Sequence, residues 1–199
     1  YCAYPFFHIQ VKPEGMYKPC CRFDIDEAKK LQDFESPFDA FKGEKWQELR
    51  QNMLSGVPVK GCHKCYREES VLAKSMRLCN EEAKRFYDYE GDSNEEITFL
   101  EVGFGNFCNL KCRTCSGSLS SKWFDDEVYL QDHTSFRREF NRVRTVESNI
   151  LSYLQVERLA QLRHIKLTGG EPMIHKDFYQ IWHHTQMISP IALYHHAKY

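Results

Sequence analysis

The chain has 199 residues, of which 42% are hydrophobic and 28% are charged, and its formal net charge is −1. A near-neutral charge gives no electrostatic reason to expect a nucleic acid or a membrane surface as partner. No stretch approaches the ~20 consecutive apolar residues of a transmembrane helix, so we expect no membrane partner.

Cysteine usage indicates the class of chemistry. The chain has nine cysteines, and it opens without the charged-then-apolar pattern of a secretory signal. In that context cysteines favour metal binding or catalysis over disulfides, and we expect a reducing, cytoplasmic compartment. The first residue is Tyr1 rather than Met, which indicates a fragment or a processed chain.

The first predicted element is a β-hairpin. Residues 6–12 alternate partly between apolar and polar side chains. Pro13-Glu14-Gly15 is typical of a turn, because Pro presets one φ and Gly permits a positive one. Cys2 lies before this hairpin and Cys20 after it, so folding brings the two thiols near each other.

Helical patterns occupy much of the next segment. Residues 24–36 are polar and helical or loop-like. Residues 38–54 carry apolar side chains at i, i+3, i+7 and i+8, which predicts an amphipathic helix ended by Ser55-Gly56. Its expected core positions are Trp46, Leu49, Met53 and Leu54. Residues 68–89 are again helical in pattern, with their charges on a solvated face.

A Cys-x2-Cys knuckle, Cys62 and Cys65, lies between those helical segments. With Cys2 and Cys20 it makes four candidate metal ligands, and Cys21 is an alternative to Cys20. Four-thiolate zinc sites use the same short spacing, so zinc is an alternative occupant.

A second group of cysteines follows a polar, acidic stretch at residues 90–96, where we expect a domain boundary. Residues 97–102 form an apolar, strand-like run that leads through a short loop into Cys108, Cys112 and Cys115. Three thiolates so close in sequence can hold an iron–sulfur cubane with one iron left open for chemistry. Zinc ligands and purely structural thiols have similar spacings.

The remaining elements alternate between helix and strand. The pattern predicts a loop and helix start at 116–123, helices at 125–149, 150–162 and 177–187, and strands at 163–168 and 190–196. Gly169-Gly170 closes the strand at 163–168. Paired glycines there allow a backbone to approach a ligand closely, and α/β sheets bind ligands at the carboxyl ends of their strands.

The cysteine triplet together with Gly169-Gly170-Glu171-Pro172 resembles the radical S-adenosylmethionine (SAM) superfamily. The resemblance implies that Cys108, Cys112 and Cys115 hold a 4Fe–4S cluster whose open iron binds SAM. It implies that the backbone of Gly169, Gly170, Glu171 and Pro172 binds the SAM amino group. The backbone at Thr114, where the family commonly has an aromatic residue, would contact the SAM adenine.

The N-terminal cysteines follow the pattern Cys-x12-Gly-x4-Cys and then Cys-x2-Cys. This arrangement resembles the auxiliary-cluster modules called SPASM and twitch domains. It implies that Cys2, Cys20, Cys62 and Cys65 hold a second 4Fe–4S cluster. The segment Ser120-Ser121-Lys122-Trp123 also resembles the radical SAM family that carries an N-terminal twitch domain.

The expected fold is α/β in two domains. Residues 1–90 would form the auxiliary domain, a β-hairpin plus helices. Residues 96–199 leave room for about three βα units of ~30 residues, the first part of the (β/α)6 partial TIM barrel that the resemblance implies. We expect no nucleic-acid partner; the resemblance implies SAM, a substrate that the sequence does not identify, and a reductase or flavodoxin-type electron donor.

The implied activity is reductive cleavage of SAM to a 5′-deoxyadenosyl radical, which abstracts a hydrogen atom from the substrate. Two alternatives stay open. One is a zinc-stabilised interaction module without catalysis. The other is an incomplete fragment that binds its cofactors but lacks the strands that complete a substrate pocket.

Overall fold

The computed structural model describes residues 2–32, 36–79, 96–135, 150–186 and 192–195. It shows a mixed α/β fold. Five strands form one sheet: β1 His8–Val11, β2 Tyr17–Lys18, β3 Phe99–Gly103, β4 His164–Thr168 and β5 Ala192–His195. The α-helices in these ranges are α1 Ile25–Lys29, α2 Pro37–Lys42, α3 Glu44–Leu54, α4 His63–Ser70, α5 Phe124–His133 and α6 Phe178–Gln186.

The predicted hairpin at the start of the chain is confirmed. β1 and β2 pair antiparallel, with Val11 opposite Tyr17. Two hydrogen bonds close the turn between them: the Lys12 amide donates to the Met16 carbonyl, and the Gly15 amide donates to the Lys12 carbonyl. Gly15 adopts a positive φ of 79°, as predicted for this turn.

The order of the strands is β2-β1-β3-β4-β5, and all neighbouring pairs except β1–β2 are parallel. The hairpin therefore joins the sheet through β3, with His8 opposite Phe99 and Val11 opposite Val102. This pairing was not predicted, because parallel strands are joined across long connections that leave no local signal. The sheet crosses the predicted boundary at 90–96, and the division into units 1–90 and 96–199 stays a prediction.

One face of the sheet carries the main hydrophobic core. Alternate strand residues point to the same face, and these are Ile9, Val11, Leu100, Val102, Ile165 and Leu167. They belong to one cluster with Phe38, Phe41, Trp46, Leu154, Leu159, Phe178 and Ile181. The opposite face of β1, β3 and β4 carries His8, Gln10, Glu101 and Lys166.

Two helix predictions are corrected in the first half. Residues 38–54 do not form one helix, because Gly43 has an extended backbone and caps α3 after α2 has ended. Leu54, predicted to be in the core, is 59% exposed. The helix predicted at 68–89 ends at Ser70, and residues 71–79 form turns and extended backbone, with Leu72 at a φ of 60°. Residues 80–95 lie outside the described ranges.

The helix predicted at residues 150–162 is also corrected. The chain forms two short 3₁₀ segments, Ile150–Ser152 and Val156–Gln161, separated where Gln155 takes a left-handed φ of 46°. Its apolar side chains are nevertheless buried, as with Leu154 and Leu159. The apolar spacing therefore identified the core positions correctly and the helix type incorrectly.

Most elements predicted near the carboxyl-terminal end are confirmed. β3, β4 and β5 lie where strands were predicted, and α6 matches the helix predicted at 177–187. The helix predicted at 125–149 is shorter in the structure: α5 ends at His133, because Thr134 has an extended backbone, and residues 136–149 lie outside the described ranges. No helix in the described part of the chain has the length and apolar character needed to cross a membrane.

Candidate functional site

The amino-terminal edge of the sheet carries four of the cysteines. Cys2 precedes β1, and Cys20 follows β2, which runs antiparallel and so returns to the same edge. Cys62 and Cys65 lie at the start of α4. All four line one cavity, which we call the four-thiol cavity.

Local packing explains why the knuckle meets the hairpin. The Asp24 amide donates to the Gly61 carbonyl at 2.9 Å. The Phe23 ring packs directly against Gly61, so that a Cβ added to Gly61 would lie only 2.1 Å from the Phe23 Cζ atom. A residue with a side chain at position 61 would therefore push the knuckle away from Cys20. The His8 ring binds the Pro19 carbonyl at 2.9 Å and fixes the end of the hairpin beside it.

Burial is the largest cause of the raised pKa values of Cys2, Cys20 and Cys62. Burial raises the pKa of Cys2 to about 11, although the Tyr4 backbone amide opposes the shift. Burial and the neighbouring thiols raise the pKa of Cys62 to about 12 and the pKa of Cys20 well above its usual range. The backbone amides of Arg22 and Phe23 are hydrogen-bond donors to Cys20. A metal centre bound here would have to displace thiol protons.

Two arginines complete the wall of the four-thiol cavity, Arg22 and Arg77. Arg22 pairs with Glu68 and Arg77 with Glu69. The Arg77 guanidinium also lies over the Tyr66 ring, 4.9 Å from its centroid. In both arginines the Nε atom is buried and has no hydrogen-bond partner in the described part of the chain.

The free space at this edge is unevenly divided. The four-thiol cavity has a volume of about 10 Å³, the space of roughly one water molecule. An adjoining cavity of about 360 Å³ shares Cys2, Cys62 and Arg77 with it. The remaining lining residues of the larger cavity are Met53, Gly56, Val57, Pro58 and Tyr66. The donor set fits an iron–sulfur cluster, which would enter only after side chains move outwards.

Cys21 faces a different environment from Cys20. It is exposed, and its Sγ contacts the Met76 Sδ at 3.8 Å. It does not line the four-thiol cavity, and the charges of Glu101 and Lys166 act on it instead. Of the two adjacent cysteines, Cys20 is therefore the one placed beside the other three thiols.

The carboxyl-terminal edge of the sheet carries the other predicted site. Residues 104–115, which we call the cysteine loop, follow β3 directly. Cys108 is buried, Cys115 half-buried and Cys112 exposed. The Leu110 amide donates to the Cys108 sulfur at 3.3 Å.

Residues 120–123 fasten the cysteine loop. The Ser120 hydroxyl donates to the Leu110 carbonyl at 2.7 Å, and the Trp123 indole donates to the Cys112 carbonyl at 2.9 Å. The Ser121 hydroxyl accepts from the Cys108 amide at 3.3 Å. These contacts give the Ser-Ser-Lys-Trp segment a physical role that its sequence pattern alone did not supply.

Gly169 and Gly170 join the cysteine loop to the end of β4. Both have positive φ, 89° and 56°. A Cβ on Gly169 would lie 2.5 Å from the Gly105 carbonyl oxygen, and one on Gly170 would lie 2.0 Å from the Phe107 carbonyl oxygen. The paired glycines thus permit a close approach between two backbone segments, in addition to any ligand contact predicted for them.

Further backbone contacts hold the same junction. The Glu171 amide donates to the Phe107 carbonyl at 2.9 Å, and its carboxylate accepts from the Met173 amide at 3.2 Å. Pro172 is buried and begins a 3₁₀ turn. Thr114, predicted to bind SAM through its backbone, lies on the exposed part of the loop. The structure therefore joins Gly169, Gly170 and Glu171 to the backbone just before Cys108, at one edge of the sheet.

Neither cysteine set is arranged around a single ion. Among the residues described, no three His, Cys, Asp or Glu side chains stand at positions that would hold one metal ion. A tetrahedral zinc needs its sulfurs at about 2.3 Å from a common point. The sulfurs around a cluster of several atoms are necessarily spread more widely.

No family model, curated protein or solved structure matches this chain. Its function is consequently argued from the two cysteine sites and their surroundings.

A buried polar network on the sheet was missed by the sequence analysis. Glu101 on β3 accepts a hydrogen bond from Gln10 at 3.0 Å and lies 3.7 Å from His8 and 3.6 Å from Lys166. Burial acts to raise the pKa of Glu101, but His8, Lys166 and Gln10 together hold it at about 2. The sequence feature that could have revealed this network is Glu101 itself, a carboxylate within a mainly apolar strand.

Proposed function

We propose that this chain is part of a radical SAM enzyme. The observation that carries the proposal is the junction of the cysteine loop with Gly169-Gly170-Glu171-Pro172 at the carboxyl edge of the parallel strands. Ligands of parallel α/β sheets bind at that edge. The backbone that leads into the three cysteines contacts Gly169, Gly170 and Glu171 there, which places the two motifs at the same edge.

Cys108, Cys112 and Cys115 would hold a 4Fe–4S cluster, with Thr114 beside them. When bound with SAM, that cluster supplies the electron that yields methionine and a 5′-deoxyadenosyl radical for hydrogen abstraction. The protein orients the reactants and excludes water. The exposure of Cys112 leaves the loop open on the side where a ligand would approach.

The neighbouring residues keep the loop in place. Ser120 and Trp123 hold the carbonyls of Leu110 and Cys112. Gly170 allows the Phe107 carbonyl to meet the Glu171 amide. We infer that β3, β4 and β5 are the first strands of a (β/α)6 partial barrel, with β1 and β2 added at its side.

We propose that Cys2, Cys20, Cys62 and Cys65 hold an auxiliary 4Fe–4S cluster. Two observations support it: the four thiols share a cavity, and the Nε–H groups of two arginines in its wall have no acceptor among the residues that the structure describes. With four thiolates and no open iron, this cluster would pass electrons or bind substrate at its periphery. A reductase or flavodoxin-type donor in the cytoplasm would supply the electrons.

The test is iron and sulfide per chain after anaerobic reconstitution. A variant carrying Cys108→Ala, Cys112→Ala and Cys115→Ala is measured alongside. The proposal expects about eight irons in the parent chain and about four in the variant. It also expects SAM to change the EPR spectrum of the reduced parent chain and not that of the variant.

Two outcomes would contradict the proposal. About four irons in both proteins would leave only the auxiliary cluster and exclude radical chemistry by this chain. Zinc without iron would exclude both clusters and favour the zinc-stabilised module, whose ligands would be the same four N-terminal thiols.

A further inference from the structure

The wall of the four-thiol cavity contains two arginines, and each has a buried N–H group without a hydrogen-bond acceptor among the described residues. Arg22 and Arg77 each give an outer guanidinium nitrogen to a carboxylate, Glu68 and Glu69 respectively. The Nε–H of each is buried and has no acceptor among the described residues. Buried donors are almost always paired, so each of these two N–H groups calls for an acceptor beyond those that the described residues supply.

The surroundings indicate what that acceptor is. Both arginines line the same cavity as the four thiols. A 4Fe–4S core held by four thiolates has a net negative charge and sulfur atoms that accept hydrogen bonds, and such bonds set its reduction potential.

We propose that Arg22 and Arg77 donate their Nε–H groups to sulfur atoms of the auxiliary cluster and thereby raise its reduction potential. The inference rests on the proposed second cluster. Glu68 and Glu69 are positioning residues, because each carboxylate accepts from an outer guanidinium nitrogen and leaves the buried Nε–H available to another acceptor. Reduction adds negative charge to the cluster, and a charged donor stabilises the more negative state more strongly.

The experiment isolates the auxiliary cluster and measures its potential. All proteins carry Cys108→Ala, Cys112→Ala and Cys115→Ala, so that one cluster remains. Arg22→Lys and Arg77→Lys keep the positive charge and remove the guanidinium. Arg67→Lys, an exposed arginine on α4, is the matched control. Each protein is reconstituted, assayed for iron and titrated under EPR detection.

The expected result is a midpoint potential that falls in each cavity variant and not in the control. A tenfold loss in the equilibrium constant for reduction corresponds to about 59 mV for one electron. Pulsed EPR on protein labelled with ¹⁵N at the arginine Nε is expected to show nitrogen coupling in the parent. That coupling is expected to weaken in Arg22→Lys and in Arg77→Lys.

The outcomes separate the inference from the proposed function. A loaded cluster without arginine nitrogen coupling, or with the same potential in all four proteins, would overturn the inference alone. Zinc or no metal in the parent would overturn the auxiliary cluster and the inference with it. If a lysine variant fails to bind iron, the coupling in the loaded parent still decides the question.

Discussion

The two cysteine sites lie at opposite edges of one sheet and are built in different ways. The four-thiol cavity is closed, with Cys2, Cys62 and Cys65 buried and Cys20 half-buried. The cysteine loop is more open, because only Cys108 of its three cysteines is buried. A strand of five residues at about 3.3 Å per residue puts roughly 17 Å between the edges.

The difference between the sites matches two kinds of metal chemistry. A closed site with a full set of protein ligands suits a structural or electron-transfer centre, whereas a catalytic site keeps a position open. Side chains from the hairpin and α4 assemble the first site. The second site is assembled by hydrogen bonds to backbone carbonyls, from backbone amides and from the side chains of Ser120 and Trp123. Removing the contacts that hold one site should therefore disrupt that site and leave the other intact.

The largest expected effect is the loss of one cluster. Cys62→Ala removes one of the four proposed ligands from the closed site, so iron is expected to fall from about eight to about four per chain. Cys21→Ala is the matched control, because Cys21 lies outside the cavity, and it is expected to leave the iron content unchanged. Equal loss in both variants would break the assignment of Cys20 over Cys21.

The next effect concerns the junction at the open site. Gly170→Ala adds a Cβ 2.0 Å from the Phe107 carbonyl oxygen at a positive φ. We expect about 3–4 kcal/mol of lost unfolding free energy and loss of the cysteine-loop cluster. Gly56→Ala is the control, because Gly56 has a φ of +70° and no atom near its Cβ position. It should cost only about 1–2 kcal/mol, from strain alone.

Urea unfolding and iron content check this pair of variants. If Gly170→Ala and Gly56→Ala lower the free energy of unfolding equally, the close approach of Gly170 to Phe107 does not constrain the site. If Gly170→Ala removes the iron of the four-thiol cavity instead, the independence of the two sites is wrong.

A smaller effect concerns Glu101 on the strand that connects the two edges. Its pKa of about 2 in the folded chain lies below the ordinary value of about 4.3. Its contribution to stability is therefore complete above pH 4.3 and lost as the pH falls towards 2, about 2–3 kcal/mol in all. The unfolding free energies of parent and Glu101→Gln should differ most at neutral pH and converge towards pH 2.

Urea titrations between pH 2 and 7 before reconstitution measure this difference, since metal binding is itself pH-dependent. Glu48→Gln, at an exposed position of α3, should track the parent at every pH. A gap for Glu101→Gln that widens on acidification would contradict the ion pairs assigned to it.

The smallest effect is expected at Trp123. Trp123→Phe removes the donor to the Cys112 carbonyl and should cost about 1 kcal/mol. Hydrogen exchange is expected to rise in the cysteine loop and to stay unchanged around the four-thiol cavity. Tyr129→Phe, an exposed aromatic on α5, is the control. Faster hydrogen exchange at both sites would mean that the Trp123 hydrogen bond stabilises both of them, and that the two sites are not independent.

Local sequence signals predicted much of the architecture. The hairpin, three of the strands and helix α6 were each marked by turn residues or apolar periodicity, which act over a few residues. The break at Gly43 and the 3₁₀ geometry of residues 150–162 were not predicted, because packing against the sheet overrides a weak helical preference. For the site, the four N-terminal cysteines that spacing grouped line one cavity, but the spacing gave no sign of Arg22 or Glu101.

The sequence by itself determined which residues are the candidates for metal chemistry, since thiol spacing and the Gly-Gly-Glu-Pro motif are local properties of the chain. Only the tertiary structure decided that β1 joins β3, that Cys20 rather than Cys21 faces the other thiols, and that Gly170 meets Phe107. Each of these contacts joins residues that are far apart in the sequence or depends on how the strands pair. Such long-range pairing leaves no local pattern in the sequence from which it could be predicted.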